Sequence, residues 1–163
     1  MLQRSKRKLG LLATIIPLTL VSQKANAQLS IVISGTAALN FGAVSENGAG
    51  TVIVTTAGGR STTGGITAVT GAGTHSNGVV SLSGSTGLAI DVSMTAGAFT
   101  IVDGGNTMVV NNFNLETVAG GATRTITLAA NPTTFPIGAT LNVGAGQPAG
   151  TYIGDYTINA NYQ

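Results

Sequence analysis

Tyr152-Ile153-Gly154-Asp155-Tyr156-Thr157-Ile158-Asn159-Ala160-Asn161-Tyr162 is the most regular stretch of the chain. Tyr152, Gly154, Tyr156, Ile158, Ala160 and Tyr162 fall on one side of an extended backbone. Ile153, Asp155, Thr157, Asn159 and Asn161 fall on the other. Side chains alternate across a strand with period two, so this pattern predicts a β-strand with one face toward a core. All three tyrosines of the protein lie on that inward face.

Working outward, the same signature recurs in shorter pieces. Candidate strands are Leu29–Ser34, Ala38–Phe41, Thr51–Thr56, Gly65–Thr70, Val79–Ser83, Leu88–Met94, Ala98–Val102, Thr107–Asn112, Arg124–Ala129 and Ala139–Val143. Between them lie Glu46–Gly50, Ala57–Gly59, Gly71–Gly78, Asp103–Asn106, Ala119–Ala122 and Gly144–Gly150, whose Gly, Asn and Asp residues admit tight turns. Residues Asn111–Val118 are a candidate single helical turn, and no other helical stripe follows the first segment. Short strands recurring every roughly 8–12 residues indicate an antiparallel all-β sandwich or barrel. A Greek-key sandwich and an open barrel share this pattern. The chain is rich in Gly and Thr, yet its apolar residues are β-branched, grouped and accompanied by little net charge, which argues against disorder.

The charge is unevenly placed. Five of the seven basic residues (Arg4, Lys6, Arg7, Lys8, Lys24) precede residue 25, ahead of or around the apolar run Leu9–Val21. With Ala25-Asn26-Ala27 closing it, residues 1–27 read as a secretory signal peptide. Residues 28–163 then form a single domain with Arg60 and Arg124 against five acids, a net charge of −3, and no lysine. Two isolated arginines cannot displace counterions from nucleic acid. No apolar run after residue 27 approaches the roughly 20 residues of a membrane span. With no cysteine there is no disulfide framework and no thiolate metal site. The expected location is the periplasm, cell surface or extracellular space.

The N-terminal strand carries Leu29, Ile31, Ile33, Gly35 and Ala37 on one face, so residues 28–37 are a candidate donor segment. Lysine commonly blocks exposed sheet edges, and its absence leaves edges that must be buried or paired with a partner. An extended segment adding to another subunit's sheet is one way of pairing them. The same strand equally suits the first strand of its own domain.

Two segments resemble a secreted bacterial family known only as a domain of unknown function. One is Leu39-Asn40-Phe41-Gly42, followed by Gly50-Thr51-Val52. The other is Leu141-Asn142-Val143-Gly144-Ala145-Gly146-Gln147, running into Gly150-Thr151-Tyr152 and the alternating strand. That family in turn is distantly similar to spore coat protein U and to chaperone–usher pilin subunits. The resemblance implies an immunoglobulin-like sandwich completed by a donor strand. Leu29, Ile31 and Ile33 would then be donor side chains, with Gly35 where a receiving groove is tight. Tyr152, Tyr156, Ile158 and Tyr162 would line a C-terminal strand that a periplasmic chaperone or a partner subunit pairs with. The absence of cysteine departs from many such pilins.

Chemistry is sparse. His75, the single histidine, lies in the loop Gly71–Gly78 with no acid near it in sequence, and no G-x-S-x-G elbow is present. Gly144–Gly150 follows a strand but opens no helix, so it reads as a hairpin-type turn rather than a phosphate loop. Asp103-Gly104-Gly105-Asn106 offers too few oxygens for calcium and reads as a tight turn. Seven aromatics cannot build the two girdles of an outer-membrane barrel. The sequence therefore points away from an enzyme, and no cofactor or metal is expected. It points toward a secreted structural or surface-assembly subunit, pilin-like or coat-like, whose partners are itself or related subunits joined by strand addition. The alternative is a monomeric secreted binding domain, an adhesin or carbohydrate binder presenting its Thr-, Asn- and Gly-rich loops.

Overall fold

Alternation of apolar and polar side chains resolves into ten strands among the described residues: β1 (Val32–Ala37), β2 (Val44–Val54), β3 (Arg60–Ala68), β4 (Gly78–Ser83), β5 (Ala89–Met94), β6 (Ala98–Asp103), β7 (Asn106–Asn114), β8 (Thr123–Thr127), β9 (Thr133–Val143) and β10 (Ile158–Tyr162). The structure is a computed structural model, and it describes residues 31–115 and 122–163. Among these residues there is no helix, and every strand pairing is antiparallel. The all-β antiparallel sandwich expected from the sequence is the fold that forms. The signal-peptide candidate at 1–27 and the donor candidate Leu29 lie outside the described residues.

β9 is the spine. Phe135, Ile137, Ala139, Leu141 and Val143 are buried along one of its faces, the period-two signature of a strand on a core. Its first half pairs with β4, from Gly78↔Ile137 to Leu82↔Thr133. Its second half is flanked by β2, through Val52↔Leu141, and by β7, through Val110↔Leu141. The larger sheet thus runs β1-β4-β9-β2-β3, with β7 and then β6 added through β9. The smaller sheet is β10-β5-β8.

Val52, Leu82, Phe135, Ile137 and Leu141 from the larger sheet meet Ile90, Val92, Ile126 and the loop residue Leu128 in one aliphatic cluster. Burying each such side chain stabilises the fold by about 1.5–3 kcal/mol relative to leaving it exposed. Phe113 bridges to the edge of the sandwich: its ring lies 5.4 Å from Phe99, edge to face, and 5.7 Å from Tyr156. Arg124 lies with its guanidinium 6.0 Å from the Phe135 ring centre and donates to the Leu115 carbonyl at 3.0 Å.

Several boundaries differ from the sequence expectation. Glu46–Gly50 is not a turn; it belongs to β2, with a register shift between Glu46 and Gly50 that absorbs its small residues. Ala38–Phe41 forms no strand and contributes only the bridge Asn40↔Ser76. The candidate helical turn at Asn111–Val118 is instead extended as far as Asn114, because Asn111 and Asn114 pair with β9. Most consequential, Tyr152–Tyr162 is not one strand. Ile153 bridges Val102 in the larger sheet, and only Ile158–Tyr162 forms β10, which pairs with β5 in the smaller sheet. Gly144–Gly150 therefore links β9 to the Ile153 bridge within the larger sheet rather than forming a hairpin turn, and the chain passes to the smaller sheet between Ile153 and Ile158.

Candidate functional site

β1 and β10 occupy corresponding positions in the two sheets. β1 is joined only to β4, by the pairs Val32↔Ser83 through Ala37↔Val79 and by the Thr36 hydroxyl donating to the Val79 carbonyl at 3.2 Å. β10 is joined only to β5. Among the described residues, the outer edge of each strand pairs with nothing. Between the two strands runs an open groove of about 610 Å³, lined by Ile33, Gly35, Leu39, Val80, Tyr156 and Ile158.

The floor of this groove is apolar because its lining side chains belong to the core. Ile33, Leu39, Tyr156 and Ile158 are half-buried and packed against the central cluster, as is Ile31 at the start of β1. Burial pushes the Tyr156 hydroxyl pKa above its ordinary value of 10.0, since the tyrosinate would lose its hydration. Gly35 is exposed, and a Cβ placed on it would meet nothing within 4 Å. The groove is thus wide at Gly35 when β1 lies in its own domain.

The C-terminal tyrosines do different work: Tyr156 and Tyr162 pack against the core, while Tyr152 sits on the loop after β9. The Tyr152 hydroxyl donates to the Pro148 carbonyl and accepts from Gln147 Nε2, each at 2.8 Å, tying the loop after β9 to itself. Tyr156 faces the groove. The Tyr162 hydroxyl accepts from the Ser85 amide at 2.6 Å, fastening the end of β10 to the β4–β5 connection. Gly154 lies so close to β6 that a Cβ on it would stand 2.6 Å from the Thr100 carbonyl oxygen.

A second, smaller cleft of about 490 Å³ opens beside the β3–β4 loop and is lined by Arg60, Val69, Thr70, Gly73, Thr74 and His75. Sequence reasoning found His75 as a loop residue but not its neighbour Arg60, because the two come together only through β3 and the Asn40↔Ser76 bridge. Arg60 Nη1 donates to the carbonyls of Phe41 and Ala43, both at 3.2 Å. Asp103 closes the β6–β7 turn, paired with Asn106. Among the described residues, no group of three His, Cys, Asp or Glu side chains gathers as a metal site, and no helix is long and apolar enough to cross a membrane.

A family model described as a domain of unknown function, DUF4402, matches residues 31–162. The chain belongs to the DUF4402 family. No curated protein and no solved structure matches it.

Both sequence motifs lie inside the DUF4402 span, and each has a structural reason. In Leu39-Asn40-Phe41-Gly42, Leu39 lines the groove and Phe41 packs on the core. Asn40 Oδ1 accepts from the Gly42 amide at 2.8 Å. Gly42 has φ +73°, and a Cβ there would stand 2.5 Å from Arg60 Nη1 and 3.3 Å from the His75 Cβ. The motif therefore joins the groove to the second cleft. In the other motif, Leu141 and Val143 are core residues, and Asn142 Nδ2 donates to the Val109 carbonyl and to Asn111 Oδ1. The Gly146 amide donates to Glu46 Oε1, and Gln147 Nε2 also donates to the Thr107 carbonyl at 3.3 Å. Gly144 is exposed, and Gly150 abuts the Asp103 carboxylate, where a Cβ would collide.

Proposed function

We propose that this DUF4402 domain is an exported structural or surface-assembly subunit, similar to pilin and spore-coat subunits with their immunoglobulin-like sandwiches, and that it associates by β-strand addition. One observation carries the reading. β1 is held to its domain along a single edge, through β4, beside an open groove with an apolar floor and polar groups of Thr36, Asp155 and Thr157 in its lining, whose far wall is the C-terminal strand. Such a strand can leave its own sheet and make the same pairing on a neighbour. Backbone hydrogen bonds would supply generic affinity, and alternate side chains would set specificity.

In this mechanism the pairing Ile33↔Leu82 is made between subunits instead of within one. Ile31 and Ile33 enter the neighbour's core, with Leu29 preceding them. Tyr156 and Ile158 form the wall against which the incoming strand rests, and Tyr152 and Tyr162 hold that wall in place. The segment Ala38–Ala43, which is not a strand, serves as the hinge. A periplasmic chaperone would pair with the same edge before assembly.

The test is a mild-shear extract of the cell surface, run on a denaturing gel with and without boiling. A heat-sensitive ladder spaced by the subunit mass supports strand exchange. A cysteine pair, Ala37→Cys with Val79→Cys at register partners, sharpens it in a chain that has no other cysteine. Oxidation would lock β1 in its own domain and abolish the ladder, and reduction would restore it. A single monomer band under all conditions would refute the reading and favour the monomeric binding domain.

A further inference from the structure

The cleft at Arg60 opens at the start of β3, the strand at the opposite end of the larger sheet from β1, and is built differently from the groove. Its cation is half-buried, and among the described residues no carboxylate pairs with it. Nη1 is committed to two carbonyls, Phe41 and Ala43, which fixes the plane and position of the guanidinium. A guanidinium has five N–H groups. The remaining three, on Nε and Nη2, make no hydrogen bond among the described residues, and Nε with Nη2 forms the side-on fork that matches a planar carboxylate. Withdrawing a cation from water without an anion is costly, so an arriving carboxylate gains more here than at an exposed arginine.

The rest of the lining names the kind of molecule that carries the carboxylate. Thr70, Thr74 and His75 bring hydroxyl and imidazole groups that both donate and accept, and all three are exposed beside the cleft. Gly71 and Gly73, with φ of +82° and +74°, bend the loop. Val69 is the one aliphatic side chain of the lining. The lining thus sets hydroxyl and imidazole groups beside apolar surface, which matches a sugar ring with its hydroxyl rim and C–H faces. The volume of about 490 Å³ falls within the range of small-molecule sites, roughly 300–1,000 Å³. One arginine suits a singly charged group better than a phosphate or a sulfated chain.

We propose that Arg60, Thr70, Thr74 and His75 form a binding site for a carboxylate-bearing saccharide, a uronic acid unit, whose carboxylate docks on the free fork of Arg60 while its hydroxyls engage the loop. The site needs no second subunit, and it adjoins the segment proposed above as the hinge through the Phe41 and Ala43 carbonyls that hold Arg60.

The experiment is a titration of the purified isotope-labelled protein with D-glucuronate, followed by amide and side-chain NMR shifts. D-glucose is the neutral control, and acetate and sulfate are the bare-anion controls. Glucuronate is expected to move the resonances of Val69–His75 and Arg60 and to bind at least about tenfold more tightly than glucose or acetate. Arg60→Lys keeps a cation but loses the fork, and should weaken glucuronate by about tenfold. If that variant fails to fold, Thr70→Val with Thr74→Val decides, since both positions are exposed; it should weaken glucuronate while leaving acetate unchanged. Equal response to glucose, or shifts elsewhere on the domain, would overturn the site. Acetate or sulfate binding as well as glucuronate would mean a generic anion patch and would overturn the saccharide.

Discussion

Ile33→Ala measures where β1 belongs. Ile33 pairs with Leu82, which is fully buried, and its own side chain is half-buried against the core. Truncating a fully buried isoleucine costs about 2–5 kcal/mol, so half-burial scales this to about 1–2 kcal/mol. For a domain of this size each kcal/mol moves the melting temperature by about 3–6 °C, which places the expected drop at about 3–12 °C. The assay is thermal unfolding followed by circular dichroism on the monomeric fraction, isolated by size exclusion with light scattering. If β1 packs within its own domain, the drop is present in the monomer and independent of protein concentration. If β1 packs only on a neighbour, the monomer is unaffected and the loss appears as a concentration-dependent melting of oligomers. A monomer melting within about 1 °C of the unaltered protein would refute the packing of β1 described above.

Gly35→Trp should leave the domain's stability within about 0.5 kcal/mol, because no atom lies within 4 Å of its Cβ position, yet fill the groove and reduce the heat-sensitive ladder. Its persistence would mean that assembly does not use the groove. Tyr156 is held neutral by burial, with its folded pKa above its ordinary value of 10.0. The stability this adds is complete below that value and is lost as pH rises through the folded pKa. Tyr156→Phe should therefore flatten the fall in urea midpoint above about pH 10. Tyr162→Phe removes the acceptor of the Ser85 amide and should cost about 1–3 kcal/mol in denaturant unfolding. Gly138→Val should be the most damaging. Its Cβ would stand 2.6 Å from the Val54 carbonyl oxygen and 2.8 Å from the Thr56 amide nitrogen, backbone atoms that cannot swing away, at a cost of about 3 kcal/mol or more.

The alternating face of a strand was legible where apolar and polar residues took turns, as in β5 with Ile90, Val92 and Met94 against Asp91 and Ser93, because period two is a local property of extended backbone. It failed where small or special residues sit in a strand. Pro136 and Gly138 hid the first half of β9. Glu46–Gly50 reads as a turn by composition but is drawn into β2, where Gly50 pairs with Val143 on one side and Gly64 on the other. The candidate site was half visible. Ile31, Ile33, Tyr156 and Ile158 were legible as apolar positions, and the missing lysines as an unguarded edge. Arg60 gave no signal, since a lone arginine among threonines looks like any solvated residue.

What the sequence determined by itself was the class of structure: an aliphatic, all-β chain with no lysine beyond Lys24, with Tyr156, Ile158 and Tyr162 facing inward. What only the tertiary structure decided was partnership. The alternation of Tyr152–Tyr162 sets which side chains face the core, but hydrogen bonds between strands are long-range and nearly blind to side chain. The same pattern therefore fits one long strand or two pieces in different sheets. Closure of the sandwich chose the second, sending Ile153 to β6 and Ile158–Tyr162 to β5. That choice leaves β1 and β10 facing each other across an open groove. The same closure brings Phe41, Arg60 and His75 together at one cleft, and no local pattern encodes such proximity.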